Sequence, residues 1–307
     1  MKSALITAVA MLVSMAAWAQ QGKESGNVWR DVDYVGDGLV GHRMDIHVPA
    51  EGQDTHKLVV LIYGSAWYGN NAKDDAFATM GQPLMDAGFA VATINHRAST
   101  EARFPAQIHD VKAAIRYLRG NAGRYGLDVS FVGITGYSSG GHLSSLAGAT
   151  GGVKRHKSGK VRVDLEGNLG QHTLQSSRVD AVVDWFGPID MSRMERCETT
   201  KDERSPEAVL IGAAPAEHPD LLRLLNPMTY LDRKDPKYLV IHGNADPVVP
   251  YCQSEYFAKA LADKGLLEDF ITVEDGQHGP VTFNKDTFAR MTAFFRKAAG
   301  MDPQPAR

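Results

Sequence analysis

The segment FVGITGYSSGGHL, residues 131–143, decides the fold. It is a short apolar run, then a serine between two glycines, then small residues typical of a tightly packed helix start. The G-x-S-x-G pattern alone is a weak signal, because ordinary glycine and serine frequencies give about 0.1 chance matches over this length. Its context is informative, because a sharp turn from a buried strand into a helix exposes a serine as a nucleophile. The register selects Ser138, since Ser139 has Tyr137 where the first glycine is required.

Near-continuous apolar runs lie on both sides of this segment. Such runs are typical of strands buried on both faces of a parallel sheet. They cover residues 58–63, 89–95, 131–135, 179–187, 238–243 and 269–275. Apolar residues at helical spacing predict helices at residues 105–123, 252–265 and 285–300. Nearer the N-terminus, residues 30–38 and 42–49 show the alternating pattern of an antiparallel hairpin. This order predicts one α/β domain over 28–300, with a mostly parallel central sheet, helices on both faces and a tail at 301–307.

Two segments interrupt the alternation of strands and helices. Residues 154–177 are polar and predict a loop. Residues 190–230 form a long insertion between two predicted core strands. Long insertions at the end of a sheet are usually functional lids. We therefore expect a small cap insertion at about 190–230, above the site that the sheet carries.

The N-terminus has the pattern of a secretory signal. A lysine is followed by an almost wholly apolar stretch, which ends in the small-x-small cleavage pattern of residues 17–19. We interpret residues 1–19 as a signal peptide and 20–27 as a linker, which predicts a secreted or periplasmic bacterial protein cleaved near Ala19. The alternative is an N-terminal membrane anchor, but the apolar run is short for a membrane span. We expect no membrane insertion after cleavage.

Export would place the two cysteines in an oxidising compartment. That compartment permits a disulfide between Cys197 and Cys252, although two free thiols remain an alternative. A bridge would tie the cap insertion to the loop that follows the strand at 238–243.

The composition and the remaining motifs exclude several function classes. The net charge is −3 and no long run of Lys or Arg occurs, so nucleic acid is not an expected partner. The histidines form no HExxH motif and the two cysteines are far apart, so we predict no metal and no other cofactor. GDGLVG at 36–41 matches a dinucleotide fingerprint, but a strand pattern follows it where a helix must hold the pyrophosphate. The sequence does not indicate an oligomeric state.

A serine nucleophile needs a base, and the base needs a carboxylate that orients it. On this kind of sheet the chain order is serine, acid, histidine. His278 follows the last predicted strand, and Asp246 follows the strand before it. Both therefore fall at strand ends, where open α/β sheets place their sites. We assign Asp246 as the acid, with Asp190, after the strand at 179–187, as the alternative.

These residues resemble the α/β-hydrolase superfamily, and more closely its small secreted bacterial carboxylesterases, which include acetyl-xylan and feruloyl esterases of the hormone-sensitive-lipase type. The resemblance covers about residues 28–298, and its motifs are GYSSGGHL, HGNADPVVP and DGQHG. It implies that Ser138 is the nucleophile, Asp246 the acid and His278 the general base.

One motif departs from the pattern of these families. They usually have His-Gly-Gly-Gly-Trp after the first long strand, whereas residues 63–67 of this chain read YGSAW. Backbone amides hold the oxyanion, so side-chain changes can leave the chemistry intact if the backbone path is kept. Our candidates are the amides of Ser65, Ala66 and Ser139. Aromatic residues near predicted strand ends are candidates for the substrate pocket or, alternatively, for core packing: Trp67, Tyr68, Trp185 and Tyr251.

The resemblance implies a secreted serine hydrolase that cleaves carboxylic esters through an acyl-enzyme. The expected substrate is a small ester or an acylated plant polysaccharide with acetyl or feruloyl groups. The alternatives are a peptidase or lipase of the same fold, and a non-catalytic binding protein that keeps the fold. The altered YGSAW loop is the one feature that favours the non-catalytic alternative.

Overall fold

The computed structural model describes residues 26–50, 53–198 and 204–301. The predicted signal peptide at 1–19, the first part of the linker and residues 302–307 of the tail lie outside the described residues. The first strand begins at Gly26, two residues before the predicted domain start, because Gly26 and Asn27 pair with Pro49 and Val48. The predicted domain range of 28–300 stays a prediction.

The described residues contain a central sheet of eight strands and a separate two-stranded hairpin. In chain order the strands are β1 (Gly26–Asp33), β2 (Arg43–Pro49), β3 (His56–Ile62), β4 (Ala90–Ile94), β5 (Leu127–Tyr137), β6 (Arg155–Ser158), β7 (Val161–Asp164), β8 (Ala181–Trp185), β9 (Lys237–Gly243) and β10 (Leu267–Val273). The central order is β1-β2-β4-β3-β5-β8-β9-β10. Strands β3 to β5 and β8 to β10 run parallel, and the β1–β2 hairpin is antiparallel. The predicted parallel sheet and hairpin are confirmed.

Helices cover both faces of the sheet. They are α1 (Lys73–Ala76), α2 (Gln82–Asp86), α3 (Ala106–Gly120), α4 (Ala122–Tyr125), α5 (Ser139–Ala149), α6 (Pro206–Ile211), α7 (Pro219–Leu225), α8 (Cys252–Lys264) and α9 (Lys285–Ala298), with a π-helical turn at Phe77–Gly81 and 3-10 turns at Val40–His42, Met191–Arg193, Pro215–Glu217 and Pro227–Thr229. Strand β3 contributes alternate side chains to the two faces, because successive residues of a strand point in opposite directions. Val60 belongs to the hydrophobic cluster that includes residues of α3, α5 and α8, and Leu61 belongs to the cluster that includes residues of α2 and α9.

The structure corrects two sequence predictions about the connecting segments. Part of the predicted loop at 154–177 is the hairpin β6–β7, which is largely exposed and buries Val163. Its polar surface gave little apolar signal for a strand. Helices α1 and α2, with the π turn between them, were not predicted, because the polar start of this segment and Gly81 weaken the helical pattern.

The insertion at 190–230 consists of short helices and turns in its described part. Leu222, Leu224 and Leu225 of α7 join the main hydrophobic core, so this end of the insertion is fixed to the sheet domain. At its other end, Met194, Glu195, Ser205 and Pro206 line a cavity together with Val248 and Val249 of the loop that follows β9.

Candidate active site

Ser138 lies at the sharp turn between β5 and α5. Its backbone has φ 56° and ψ −127°, a conformation that costs a non-glycine residue free energy. The strand and helix approach so closely that a side chain at Gly136 would lie 2.5 Å from the Gly140 carbonyl oxygen. A side chain at Gly140 would lie 2.3 Å from the Ile62 carbonyl oxygen. Both flanking glycines are therefore required by space as well as by the turn.

Three side chains that are far apart in the sequence form one line of hydrogen bonds at the ends of β5, β9 and β10. The Ser138 hydroxyl donates to Nε2 of His278 over 2.9 Å. Nδ1 of His278 donates to Oδ2 of Asp246 over 2.8 Å. This geometry suits proton transfer from the serine to the imidazole, with the carboxylate fixing the imidazole tautomer.

The Asp246 carboxylate is satisfied on both oxygens. Oδ1 accepts the backbone N–H groups of Val248 and Val249, at 2.7 and 3.0 Å. Oδ2 accepts from His278 and lies 3.3 Å from Nε2 of His242. Burial alone would raise the pKa of Asp246, but the hydrogen bonds from the two histidines and the charge of His278 outweigh it and hold the pKa well below its ordinary value. The group is therefore a carboxylate at any pH at which the imidazole acts as a base.

Sequence reasoning missed two residues that hold this line in place. His242 is fully buried, and its Nδ1 lies 2.7 Å from the Ser254 hydroxyl, while its Nε2 lies beside Asp246. The sequence signal that could have indicated His242 is its position four residues before Asp246. Phe186 packs its ring against His278 with centroids 4.7 Å apart. Asp190, the alternative acid, instead accepts hydrogen bonds from Ser192.

The structure changes the prediction for the oxyanion donors. The Ser65 amide donates to the Ser139 hydroxyl over 2.9 Å, so this N–H is already engaged in the structure and we no longer count it among the candidate donors. Ala66 and Ser139 border the cavity at the nucleophile. Their amides remain our candidate donors.

A cavity of about 320 Å³ opens at Ser138. It lies between the sheet end and the insertion, and its lining is mostly apolar: Ala66, Trp67, Ser138, Ser139, Pro188, Met194, Glu195, Ser205, Pro206, Glu207, Val248 and Val249. Of the four aromatic candidates, Trp67 borders this cavity. Tyr68 is 41% exposed and does not line it.

Two of the aromatic candidates pack within the fold, which is the alternative that the sequence left open for them. Trp185 is fully buried on the other face of the sheet, against Phe283 and Phe288, because the alternation of β8 turns it away from the cavity. Tyr251 stacks on Phe270 and hydrogen-bonds Thr272, so its ring is used in packing.

A second cavity of about 530 Å³ adjoins the first and shares Met194, Glu195 and Val248 with it. Its other lining residues are polar, charged or proline: Arg196, Glu198, Pro247 and Pro250. The structure joins Cys197 to Cys252 in a disulfide. This bridge ties the insertion to the start of α8, directly after the loop that forms the opposite wall.

The described residues contain neither a metal-binding cluster nor a membrane-spanning helix. Among them, no group of three or more His, Cys, Asp or Glu side chains could hold a metal ion. Within the same residues, no helix is both long and apolar enough to cross a membrane.

The family model BD-FAE matches residues 44–261, which is most of the chain and includes Ser138 and Asp246. The chain belongs to the BD-FAE family. This membership, together with the sheet order and the structural neighbours, confirms the predicted α/β-hydrolase fold.

Similar proteins of known structure include carbohydrate esterases. The chain is 60% identical to a bifunctional GH43-CE protein of Bacteroides eggerthii, with a TM-score of 0.88 over 89% of this chain and 35% of that one. It is 50% identical to a truncated carbohydrate esterase from gut microbiota, with a TM-score of 0.89 over 91% and 99% of the two chains. It is also 29% identical to the esterase LipQ of Mycobacterium tuberculosis, over 68% of this chain and 46% of LipQ. The chain thus spans about half of LipQ and about a third of the Bacteroides protein.

Proposed function

We propose that this BD-FAE protein is a serine carboxylesterase that acts through an acyl-enzyme. The observation that carries the proposal is the continuous line of hydrogen bonds from Ser138 through His278 to Asp246 at the edge of a cavity. The esterase names of its relatives support the same reaction class.

In the proposed reaction, His278 takes the Ser138 proton as the serine oxygen attacks the ester carbonyl carbon. The carbonyl electron pair moves to the oxygen, and the amides of Ala66 and Ser139 stabilise the resulting oxyanion. The oxyanion collapses, the bond to the alkoxy oxygen breaks, and His278 returns the proton to the leaving alcohol. Water then attacks the acyl-serine in the same way and releases the acid. Asp246 stabilises the imidazolium that forms in each half-reaction.

We further propose that the two cavities divide the substrate between them. The inner cavity, which opens at Ser138 and is mostly apolar, suits a short or single-ring acyl group, such as acetyl or feruloyl. The outer cavity carries Glu195, Arg196 and Glu198, whose carboxylate and guanidinium groups can hydrogen-bond the hydroxyls of a saccharide leaving group. The carbohydrate-esterase relatives support an acylated polysaccharide as substrate. A secreted or periplasmic location, directed by residues 1–19, fits such a polymer.

The test compares the protein with Ser138→Ala on four esters: p-nitrophenyl acetate, p-nitrophenyl palmitate, methyl ferulate and acetylated xylan. We expect the parent to release acetate or ferulate and the variant to remain at background. Preference for the palmitate ester would indicate a lipase instead. Equal background for both proteins on every ester would leave the non-catalytic binding protein.

A further inference from the structure

We propose that Ser139 is a positioning residue, which holds the oxyanion loop in place through its side-chain hydroxyl. The oxyanion loop is defined here as residues 64–69. This inference rests on the proposed esterase function and adds a role that the nucleophile motif does not require. Ser139 would act twice, because its backbone amide is a candidate oxyanion donor and its hydroxyl holds the loop that supplies the other donor.

The contact lies in a closed part of the molecule. Ser139 is the first residue of α5, directly after the nucleophile, and only 1% of its surface is exposed. Its Oγ accepts the Ser65 amide over 2.9 Å. The hydrogen bond therefore joins the oxyanion loop to the helix that carries the nucleophile, across 74 residues of sequence.

The loop needs such an anchor because its backbone is unfavourable for its sequence. Ala66 and Trp67 have φ of 50° and 60°, a region that residues with a side chain rarely adopt. Two successive residues of this kind persist only where surrounding contacts determine the backbone. The similar families usually have His-Gly-Gly-Gly-Trp here, with glycine at the position of Ala66. Glycine adopts positive φ without this cost.

Four other contacts close the loop upon itself or onto its neighbours, one of them from the Tyr63 hydroxyl to the Gly69 carbonyl at 3.1 Å. The Gly69 amide donates to the Ser65 hydroxyl, at 3.1 Å, and the Tyr68 amide donates to the Ser65 carbonyl, at 2.9 Å. The Ser99 amide donates to the Trp67 carbonyl, at 2.8 Å. These contacts shape the turn, whereas the Ser139 contact is a hydrogen bond that joins it to α5.

The distance between loop and helix determines how well two oxyanion donors converge. A displacement of about 1 Å at a reacting centre can cost about 100-fold in rate. We therefore expect Ser139→Ala to lower kcat by about 10- to 100-fold and to change KM by less than about threefold, since the ground-state ester relies little on the oxyanion donors.

Ser144→Ala is the matched control. Ser144 is fully buried on the same helix, and its hydroxyl has no hydrogen-bond partner among the described residues. Both variants remove one buried hydroxyl from α5, so a general effect on the helix would appear in both. Ser139→Thr keeps a hydroxyl and should recover part of kcat. If Ser139→Ala fails to fold, Ser139→Cys keeps the volume while its sulfur accepts only weakly.

The second readout is inhibition by an aryl trifluoromethyl ketone, which forms a tetrahedral oxyanion with the serine. We expect its inhibition constant to rise with Ser139→Ala by about the same factor as kcat falls, while KM for p-nitrophenyl acetate stays near the parent value. A structural role confined to folding would lower the unfolding temperature without this split.

The outcomes separate the two proposals. If the parent is active and Ser139→Ala stays within twofold of it in both kcat and the inhibition constant, the positioning role alone is overturned. An equal loss in Ser144→Ala would also overturn it. A parent without turnover on every ester would reject the proposed esterase function and this inference with it.

Discussion

Asp184 provides a direct test of the electrostatics beneath the nucleophile turn. It lies on β8, is fully buried and accepts the Gly187 amide through Oδ1 over 3.0 Å. Burial raises the pKa of Asp184 from 3.8 to about 7, against the opposing effects of the Gly187 amide and the Ser145 hydroxyl.

The direction of the pH effect follows from this raised pKa. The native state binds the proton more tightly than the unfolded chain, so the cost of burial is absent below pH 3.8 and grows until about pH 7. Proton linkage gives a cost of about 1.7 kcal/mol near pH 5 and about 4 kcal/mol near pH 8. Asp184→Asn removes this term, because an amide stays neutral at every pH and still accepts the Gly187 N–H.

Urea unfolding of the parent and Asp184→Asn near pH 5 and near pH 8 measures the effect. Any constant cost of the amide group cancels between the two pH values. We expect the difference in unfolding free energy to shift by about 2.5 kcal/mol in favour of the variant as the pH rises. Ser144→Ala, which changes no ionisable group, should show no such shift. A shift below about 0.5 kcal/mol for Asp184→Asn would refute the reasoning, since it would mean that Asp184 ionises in the fold without cost.

Two further predictions concern the acid and the disulfide. Asp246→Asn should lower kcat by up to about 10⁴-fold, because the His278 Nδ1–H loses its carboxylate. Asp190→Asn should leave kcat within about tenfold of the parent value. The reverse ranking in an ester assay would identify Asp190 as the acid. Replacing Cys197 and Cys252 by serine opens a loop of 55 residues, which corresponds to about 4 kcal/mol of unfolding free energy in the chain-entropy model. We also expect KM to rise more for acetylated xylan than for p-nitrophenyl acetate, because the bridge joins the two walls of the outer cavity. A change below about 1 kcal/mol in urea unfolding would contradict the entropy estimate.

Much of the sheet could be predicted because burial leaves a local signature. The six apolar runs between 58 and 275 all became strands. Five of them are largely buried, since a strand covered on both faces needs apolar side chains on both, whereas β10 lies at the sheet edge and is only partly buried. The β6–β7 hairpin gave no such signal, because it is largely exposed. The strand order of the sheet was not readable from any local pattern, since it depends on which crossover helices pack on which face.

The sequence by itself determined the fold class, the turn at Ser138 and the candidate triad, because these depend on glycine spacing and on chain order at strand ends. Only the tertiary structure decided which groups Ser65, His242 and Asp246 contact, and which face of β8 carries Trp185. These contacts join residues that are distant along the chain or depend on strand register. Local propensities do not encode such distances, so the engaged Ser65 amide could not be foreseen and the sequence could not choose between the pocket and the core for Trp185. Packing between the sheet, α5 and the insertion sets them.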